Sequence, residues 1–97
     1  MSDPVAMILR FDGDPDDLVE RYEKARQLWI AAQDDDYEPP AFCAACKAED
    51  GIAIVIGWPS DEAHKAFARG IRPHLKAVDM GRPDGHEHLR IAKLGWD

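Results

Sequence analysis

The segment Ile52 to Trp58 is apolar throughout, although a strand would turn its successive residues to opposite faces. Three isoleucines alternate on one face of this predicted strand, and an alanine, a valine and a glycine alternate on the other. Neither face carries a polar side chain, so both faces must be covered. A chain with two predicted helices can cover only one face of a sheet. The pattern therefore predicts a homodimer, in which a second copy of the chain covers the other face.

The segment Val5 to Phe11 repeats this pattern and predicts the first strand, with Arg10 as its one charged residue. A helix is predicted directly afterwards, because Asp14 is a favourable N-cap and Pro15 suits the first helical position. Apolar residues then recur at helical spacing to about Ala32. The buried stripe of this helix is predicted to comprise Leu18, Tyr22, Ala25, Trp29 and Ala32.

The middle of the chain predicts a hairpin. Residues 33–40 hold three aspartates and two prolines, which is typical of a loop. This loop lacks the glycine and the glutamate that an EF-hand needs at fixed positions, so calcium binding is not predicted. Ala41 to Glu49 predicts the second strand. Asp50 and Gly51 favour a type I′ turn, which makes the strand 52–58 its antiparallel neighbour.

Ser60 predicts the N-cap of a second helix, because a proline stops the preceding strand and acidic residues fill the first helical turn. Pro73 is expected to end or kink this helix near Gly70, and a short helix is expected over Pro73 to Val78. The buried stripe of the second helix is predicted to comprise Ala63, Ala66, Phe67, Gly70 and Ile71.

The last strand is predicted over Glu87 to Leu94. The element order is then βαββαβ, the order of the ferredoxin-like α+β fold. This fold places the first and third strands at the centre of a four-stranded antiparallel sheet, with both helices on one face. The first and third strands are also the most apolar, in agreement with that placement. A length of 97 residues suits one such domain, over 1–97.

Acidic residues outnumber basic ones, 19 against 12, and the formal net charge is −7. Binding to nucleic acid or to an anionic membrane depends on Lys and Arg meeting phosphates, so neither partner is predicted. No apolar run approaches the length of a membrane-spanning helix, and Met1 to Pro4 lacks the basic residues typical of a secretion signal. The sequence therefore predicts a cytoplasmic protein.

Cys43 and Cys46 form a Cys-x-x-Cys motif. Redox motifs of this kind lie at helix N-termini, which stabilise the thiolate, whereas these cysteines fall on the predicted second strand. Positions three apart on a strand point to opposite faces, and zinc would need further ligands at suitable spacing. The interpretation from the sequence is two small buried thiols without chemistry.

The segment Ile54 to Phe67 joins an apolar strand, a tryptophan and a Ser-x-x-Ala turn to a helix with an aromatic residue. It resembles the corresponding segment of the dimeric α/β-barrel superfamily, and within it the antibiotic-biosynthesis-monooxygenase-like proteins. The resemblance implies two four-stranded sheets packed as a barrel across a twofold axis, with a small cavity in each subunit between sheet and helices. It implies functions that range from cofactor-free oxygenation of aromatic compounds and haem degradation to isomerisation and ligand binding.

The haem-degrading members of this family differ from the chain at three places. They carry an asparagine near the end of the first strand, where this chain has Arg10 to Asp12. Their tryptophan corresponds to Phe67, and their iron-binding histidine would fall near Ala77, with His74 close by. Haem is therefore not predicted, and no other cofactor is indicated.

The candidate catalytic residue is His74, because histidine suits proton transfer near neutral pH and this residue follows the expected helix break, where such folds open their cavity. A solvated histidine is the alternative. Phe11, Trp29 and Trp58 are candidate walls of a pocket for an aromatic ligand, with a purely structural core as the alternative.

Arg10 is unusual because an unpaired charge on an apolar face is costly, so it is expected to pair with an acidic residue such as Glu87 or to meet an anionic ligand group. His64 is expected on the surface, beside the buried stripe. His86 and His88 share one strand face at a spacing that can hold a metal, but nothing nearby in sequence commits a third ligand. Structural or interface histidines, without metal, are therefore predicted.

These features together predict a homodimeric protein that binds a small molecule. The first interpretation is a cofactor-independent monooxygenase or isomerase that acts on an aromatic or polyketide-like compound. The alternative is a non-catalytic dimeric ligand-binding or structural module of the same fold. Trp96 is expected to cap the partner subunit.

Overall fold

The computed structural model describes residues 3–34 and 36–94, so the expected role of Trp96 lies outside the described residues. The predicted element order βαββαβ is confirmed. The elements are β1 (Val5–Asp12), α1 (Pro15–Ala31), β2 (Phe42–Ala48), β3 (Gly51–Trp58), α2 (Asp61–Ala77) and β4 (Gly85–Arg90).

The four strands form one antiparallel sheet in the order β2-β3-β1-β4, so the two most apolar strands are central, as predicted. Both helices pack against one face of this sheet, which we call the inner face. Alternate residues of β1 and β3 on the inner face join the apolar stripes of the helices in a single core. The ferredoxin-like fold is therefore confirmed.

The opposite, outer face of the sheet carries the other half of each central strand. Ile8 lies beside Val55 at its centre, and both are half-buried although no helix packs on them. At its edges, Phe42 is 39% exposed and Leu89 is 49% exposed. An apolar face of this kind is open in the single chain, and the homodimer that would cover it remains a prediction.

Helix α1 begins as its sequence predicts. The Asp14 carboxylate accepts a hydrogen bond from the backbone N–H of Asp17 at 3.0 Å, and Pro15 occupies the first turn. This side chain satisfies one of the backbone donors that every helix N-terminus leaves unpaired.

Replacement of Asp14 by Ala is expected to lower the free energy of unfolding by about 1 kcal/mol, because the capping hydrogen bond is lost. Asp14→Asn keeps an acceptor at the same place and is expected to lose only a few tenths of a kcal/mol. Urea unfolding followed by circular dichroism measures both values. Equal losses in the two variants would show that the carboxylate's charge, rather than its hydrogen bond, stabilises the helix.

The expected break in the second helix is wrong. Helix α2 runs without interruption from Asp61 to Ala77 and contains Pro73. A proline leaves the carbonyl four residues earlier, that of Arg69, without its helical partner. Pro73 and Arg69 are both exposed, so water can bond the freed carbonyl and the helix continues.

The expected type I′ turn at Asp50 and Gly51 is also wrong. Ala48 pairs with Gly51, so the two-residue turn is Glu49 and Asp50, and neither has the positive φ that a type I′ turn requires. Gly51 instead begins β3, where an added Cβ would clash with the carbonyl oxygen of Phe11. The glycine is needed for close strand approach.

The last strand ends at Arg90, four residues before the predicted end. Within residues 3–34 and 36–94, no helix has both the length and the apolar character needed to span a membrane.

Candidate functional site

A small cavity of about 100 Å³ lies between α1, the inner face of β2 and β3, and α2. We call it the inner cavity. Its position follows from the fold. The side chains of β2 are short and leave space under α1, whereas the longer side chains of a central strand would fill that space. Its walls are formed by Tyr22, Arg26, Trp29, Ile30, Tyr37, Pro40, Cys43, Ile56, Trp58 and Phe67.

Three aromatic rings from three elements form the deep wall of the inner cavity. Trp29 of α1 meets Phe67 of α2 edge to face, with ring centroids 4.9 Å apart, and Trp58 of β3 lies 5.0 Å from Phe67. The Trp58 indole N–H donates to the Met7 sulfur at 3.4 Å, so its polar group is already used within the core. This wall offers flat apolar surfaces to a ligand.

Tyr22, Arg26 and Cys43 are polar residues in the walls of the inner cavity. The Tyr22 hydroxyl is buried beside the Cys43 thiol and makes no hydrogen bond of good geometry to a described residue. Burial and then the adjacent Cys43 thiol raise the pKa of Tyr22 well above its ordinary value. Partial burial also raises the pKa of the Cys43 thiol. Both groups are therefore neutral at pH 7.

Arg26 brings a positive charge to this wall. Its Nε and Nη2 donate to the two carboxylate oxygens of Glu23, at 3.0 Å and 2.6 Å, in a bidentate pair one helical turn apart. The pair orients the guanidinium and leaves Nη1 outside it. Because the pair is half-buried, its charge is screened less than that of a fully exposed arginine.

A wider cleft of about 320 Å³ lies next to the inner cavity, between the loop that follows α1 and the first turns of α2. Trp29 and Tyr37 line both spaces, and their rings meet edge to face with centroids 5.8 Å apart. Tyr37 is 36% exposed and lies on the loop. These two rings therefore lie between the inner cavity and the wider cleft.

The structure places the predicted site residues in different parts of the molecule. Trp29 and Trp58 lie together in the wall of the inner cavity. Phe11 is buried in the core and lines neither space, and Arg10 lies on the outer face of the sheet. His74 lies seven residues beyond Phe67 on α2, about 10 Å along the helix axis, and also lines neither space.

Arg10 makes no ion pair within the described part of the chain. It pairs in register with Gly85, while Glu87 on the same face lies opposite Ile8. Glu87, the expected partner, is therefore a diagonal neighbour of Arg10, and the two side chains form no ion pair in the single chain.

Tyr22, Arg26 and Cys43 were not predicted from the sequence as members of one site. A signal was present for Arg26, which follows Tyr22 by four residues and precedes Trp29 by three. A helix places all three on neighbouring positions, so a charge at this spacing borders the buried stripe. Cys43 comes from a strand, and its meeting with them depends on tertiary structure.

The expected burial of the cysteines is wrong, since both are exposed at the residue level. The expectation that they point to opposite faces is confirmed, because Cys43 lies beside Ile56 of the inner face and Cys46 beside Ala53 of the outer face. Strand β2 is an edge strand with an uncovered outer face, so its backbone remains open to water.

A second group of polar side chains lies at the other edge of the sheet, where α2 passes over β4. Asp61 and His64 lie one turn apart on α2, and His88 extends from the inner face of β4. The Asp61 Oδ1 is 3.3 Å from His88 Nε2 and 3.9 Å from His64 Nδ1. The two imidazole rings face each other with centroids 4.7 Å apart. We call these residues the histidine–aspartate cluster.

His64 was expected on the surface, and this expectation is wrong: it is only 8% exposed. With Phe67, Ile71 and Leu75 it forms a stripe at spacings of three and four residues that faces the sheet. Burial, and then the neighbouring His88, lower the pKa of His64 below its ordinary value. A hydrogen bond from Lys65 to its other oxygen lowers the pKa of Asp61.

Solved structures with the same fold include SnoaB, a cofactor-independent oxygenase from Streptomyces nogalater, with a TM-score of 0.69, 14% identity and coverage of 96% of this chain and 97% of that chain. A protein of unknown function from Nitrosomonas europaea, NE2512, gives a TM-score of 0.70 at 12% identity, covering 99% and 96%. A Chloroflexus aurantiacus protein, provisionally assigned as an antibiotic biosynthesis monooxygenase, gives a TM-score of 0.63 at 16% identity. The match covers 95% of this chain and 97% of that chain. The fold is therefore that of the antibiotic-biosynthesis-monooxygenase-like proteins. No family model matches the sequence, and no curated protein matches it either.

Proposed function

Starting from this fold, we propose that the chain is a homodimeric small-molecule-binding protein whose inner cavity takes an aromatic compound with an acidic hydroxyl group. The observation that carries the proposal is that the aromatic residues Trp29, Trp58 and Phe67 and the charged Arg26 line one small cavity. Apolar walls with a few fixed polar groups are the usual composition of ligand sites.

The size of the inner cavity supports an aromatic ring as its occupant. Its volume of about 100 Å³ is of the order of the apolar cavities that admit benzene. A compound with two or three fused rings needs more space, which the wider cleft supplies if Tyr37 turns outward on its loop. A polycyclic ligand would then stack on Trp29 and extend into the cleft.

Arg26 supports an anionic form of the ligand. A phenolate oxygen directed at Arg26 Nη1 gains a charge-assisted hydrogen bond from a guanidinium that is already oriented by Glu23. This contact lowers the pKa of the bound phenol.

Such an anion allows oxygenation without a cofactor, and SnoaB, which has the same fold, is a cofactor-independent oxygenase. A phenolate ring is electron-rich and can itself reduce O₂. In a monooxygenation at a ring C–H, one oxygen atom forms the new carbonyl, the other leaves as water, and the substrate supplies the electrons and both hydrogens. We therefore propose oxygenation of a hydroxylated aromatic compound as the reaction. Isomerisation through the same anion is the related alternative.

Homodimerisation is part of the proposal because the outer face of the sheet is apolar at its centre and uncovered in one chain. Packing two such faces together would bury Ile8 and Val55 of both copies. It would also give Arg10 access to acidic residues of the second copy, such as its Glu87.

The alternative is a binding module without turnover, and one observation favours it. Among the described residues that line the inner cavity, none is a histidine, an aspartate or a glutamate. These walls offer the phenol no protein base, since Tyr22 and Cys43 are neutral. The phenol would then have to lose its proton to solvent or to a reduced form of O₂ produced in the reaction.

The test uses a naphthol as binding probe, detected by quenching of tryptophan fluorescence, and a dihydroxynaphthalene as oxygenation probe, detected with an oxygen electrode. Arg26→Met is expected to weaken naphthol binding about tenfold or more, because a hydrogen bond from a charged group is lost. Wild-type protein is expected to consume one O₂ for each hydroxynaphthoquinone formed, faster than buffer alone.

Lys24→Met is the matched control, because it removes the same charge from an exposed position of the same helix. It is expected to leave binding unchanged. Binding without oxygen uptake would favour the non-catalytic module. Naphthol binding that is equal in wild type, Arg26→Met and Trp29→Ala would contradict the inner cavity as the site.

A further inference from the structure

The histidine–aspartate cluster contains a buried imidazole without a hydrogen bond. The side chain of His64 is 11% exposed, both of its ring nitrogens are buried, and neither has a hydrogen-bond partner among the described residues. A buried polar group without a partner is costly and rare in folded proteins. An imidazole in this position therefore indicates a ligand that it would bond when present.

The surroundings of His64 identify the kind of ligand. One ligand atom each from Asp61, His64 and His88 can be chosen so that all lie within 4.8 Å of one another. Two donors bound to one ion at about 2.0–2.2 Å are themselves separated by about 3–3.5 Å. The 3.3 Å between Asp61 Oδ1 and His88 Nε2 already matches this separation, whereas the 3.9 Å between Asp61 Oδ1 and His64 Nδ1 must shorten when an ion binds.

We propose that Asp61, His64 and His88 form a binding site for a divalent first-row transition metal, held between the first turn of α2 and β4. Two imidazoles and one carboxylate are the ligands of zinc sites with an open position and of non-haem iron sites. The nitrogen donors favour such metals over magnesium and calcium, which prefer oxygen ligands throughout.

One further feature of the cluster suits a metal. The Asp61 carboxylate is oriented by Lys65 Nζ, which contacts Oδ2 at 3.1 Å and leaves Oδ1 to face the imidazoles. A contact of this kind from outside the ligand set fixes the direction of the ligand atom.

The site differs from the inner cavity in place and in access. It lies over β4 at one edge of the sheet, whereas the inner cavity lies over β2 and β3. The side chains of His88 and Asp61 are 41% and 38% exposed, so the ion would be reached from solvent and would keep at least one position for water. Three protein ligands and one open position are typical of sites that act on a bound water or small ligand.

The experiment titrates tag-free protein with Zn²⁺ in competition with a chromophoric chelator. Wild-type protein is expected to bind one Zn²⁺ per chain, and His88→Ala and Asp61→Asn are each expected to weaken binding by about 10- to 100-fold or more. Both substitutions are at exposed positions and leave the core intact. His64→Ala is expected to act at least as strongly, and its folding is checked by circular dichroism.

His74→Ala is the matched control, because it removes a histidine from the same helix outside the cluster. It is expected to leave the affinity for Zn²⁺ unchanged. Co²⁺ as a second probe reports the ligands, and the spectrum of the complex is expected to lack the near-ultraviolet band of a cobalt–thiolate bond. That result separates the cluster from Cys43 and Cys46.

The proposal is overturned if wild-type protein binds Zn²⁺ no more tightly than His88→Ala, or if His74→Ala weakens binding as much. A thiolate band in the Co²⁺ complex would also overturn it, since the cysteines would then be the ligands. Because these readouts need neither a substrate nor oxygen uptake, they are independent of the proposed function.

Discussion

Trp58→Ala is expected to lower the free energy of unfolding by about 3–5 kcal/mol, the range seen when a large buried aromatic is truncated. Trp58 is 1% exposed at the end of the central strand β3. Its ring packs against Phe67 and Trp29, which come from different helices. Truncation would leave a cavity where three elements meet and would remove the indole N–H bond to Met7.

This loss is a large part of the stability of a domain of this size, which is about 5–15 kcal/mol. Urea unfolding at one fixed protein concentration measures it, because dimerisation would make the midpoint depend on concentration. Leu28→Ala is the control, since Leu28 is 43% exposed on α1 and is expected to change stability by less than about 0.5 kcal/mol. A loss below about 1 kcal/mol in Trp58→Ala would show that the aromatic wall is not part of the stabilising core.

Val55→Asp is expected to convert the proposed dimer to a monomer. Val55 lies at the centre of the outer face, between Ile8 of β1 and Ala44 of β2. In a sheet-to-sheet dimer a carboxylate here would lose its water without gaining a partner. The dissociation constant is therefore expected to rise about a hundredfold or more. The single chain should still fold, because this face is open to solvent.

Sedimentation equilibrium at micromolar concentration distinguishes the states, since one chain has a mass of 10.9 kDa. Leu28→Asp makes the same chemical change on an exposed helix position and is expected to remain dimeric. A wild-type protein that sediments as a folded single chain, or a Val55→Asp variant that dimerises like wild type, would contradict the proposed assembly.

Some of the candidate site follows from the sequence. Trp29 and Trp58 were predicted as walls of an aromatic pocket, and both line the inner cavity. The polar members of that cavity were not predicted together, because Tyr22 and Arg26 lie on a helix and Cys43 on a strand. They meet because α1 packs against β2, and the pattern of neither element alone specifies that packing.

The histidine–aspartate cluster shows the same division. The sequence presents His86 and His88 as the natural pair, because they are two residues apart on one strand face. The structure instead groups His88 with Asp61 and His64, which precede it by more than twenty residues. The register between β1 and β4 sets His88 opposite Met7 and so fixes its position along the strand. The packing of α2 on the sheet then places His64 next to it.

The sequence by itself determined the order of the four strands and the two main helices, and the choice of central strands. These follow from periods of two and 3.6 residues, from the caps Asp14 and Ser60, and from the loss of free energy when apolar faces stay in water. Only the tertiary structure decided that α2 continues through Pro73, that His64 is buried, and which polar side chains meet. Those outcomes depend on solvent access and on contacts between distant segments, which one element's periodicity does not specify.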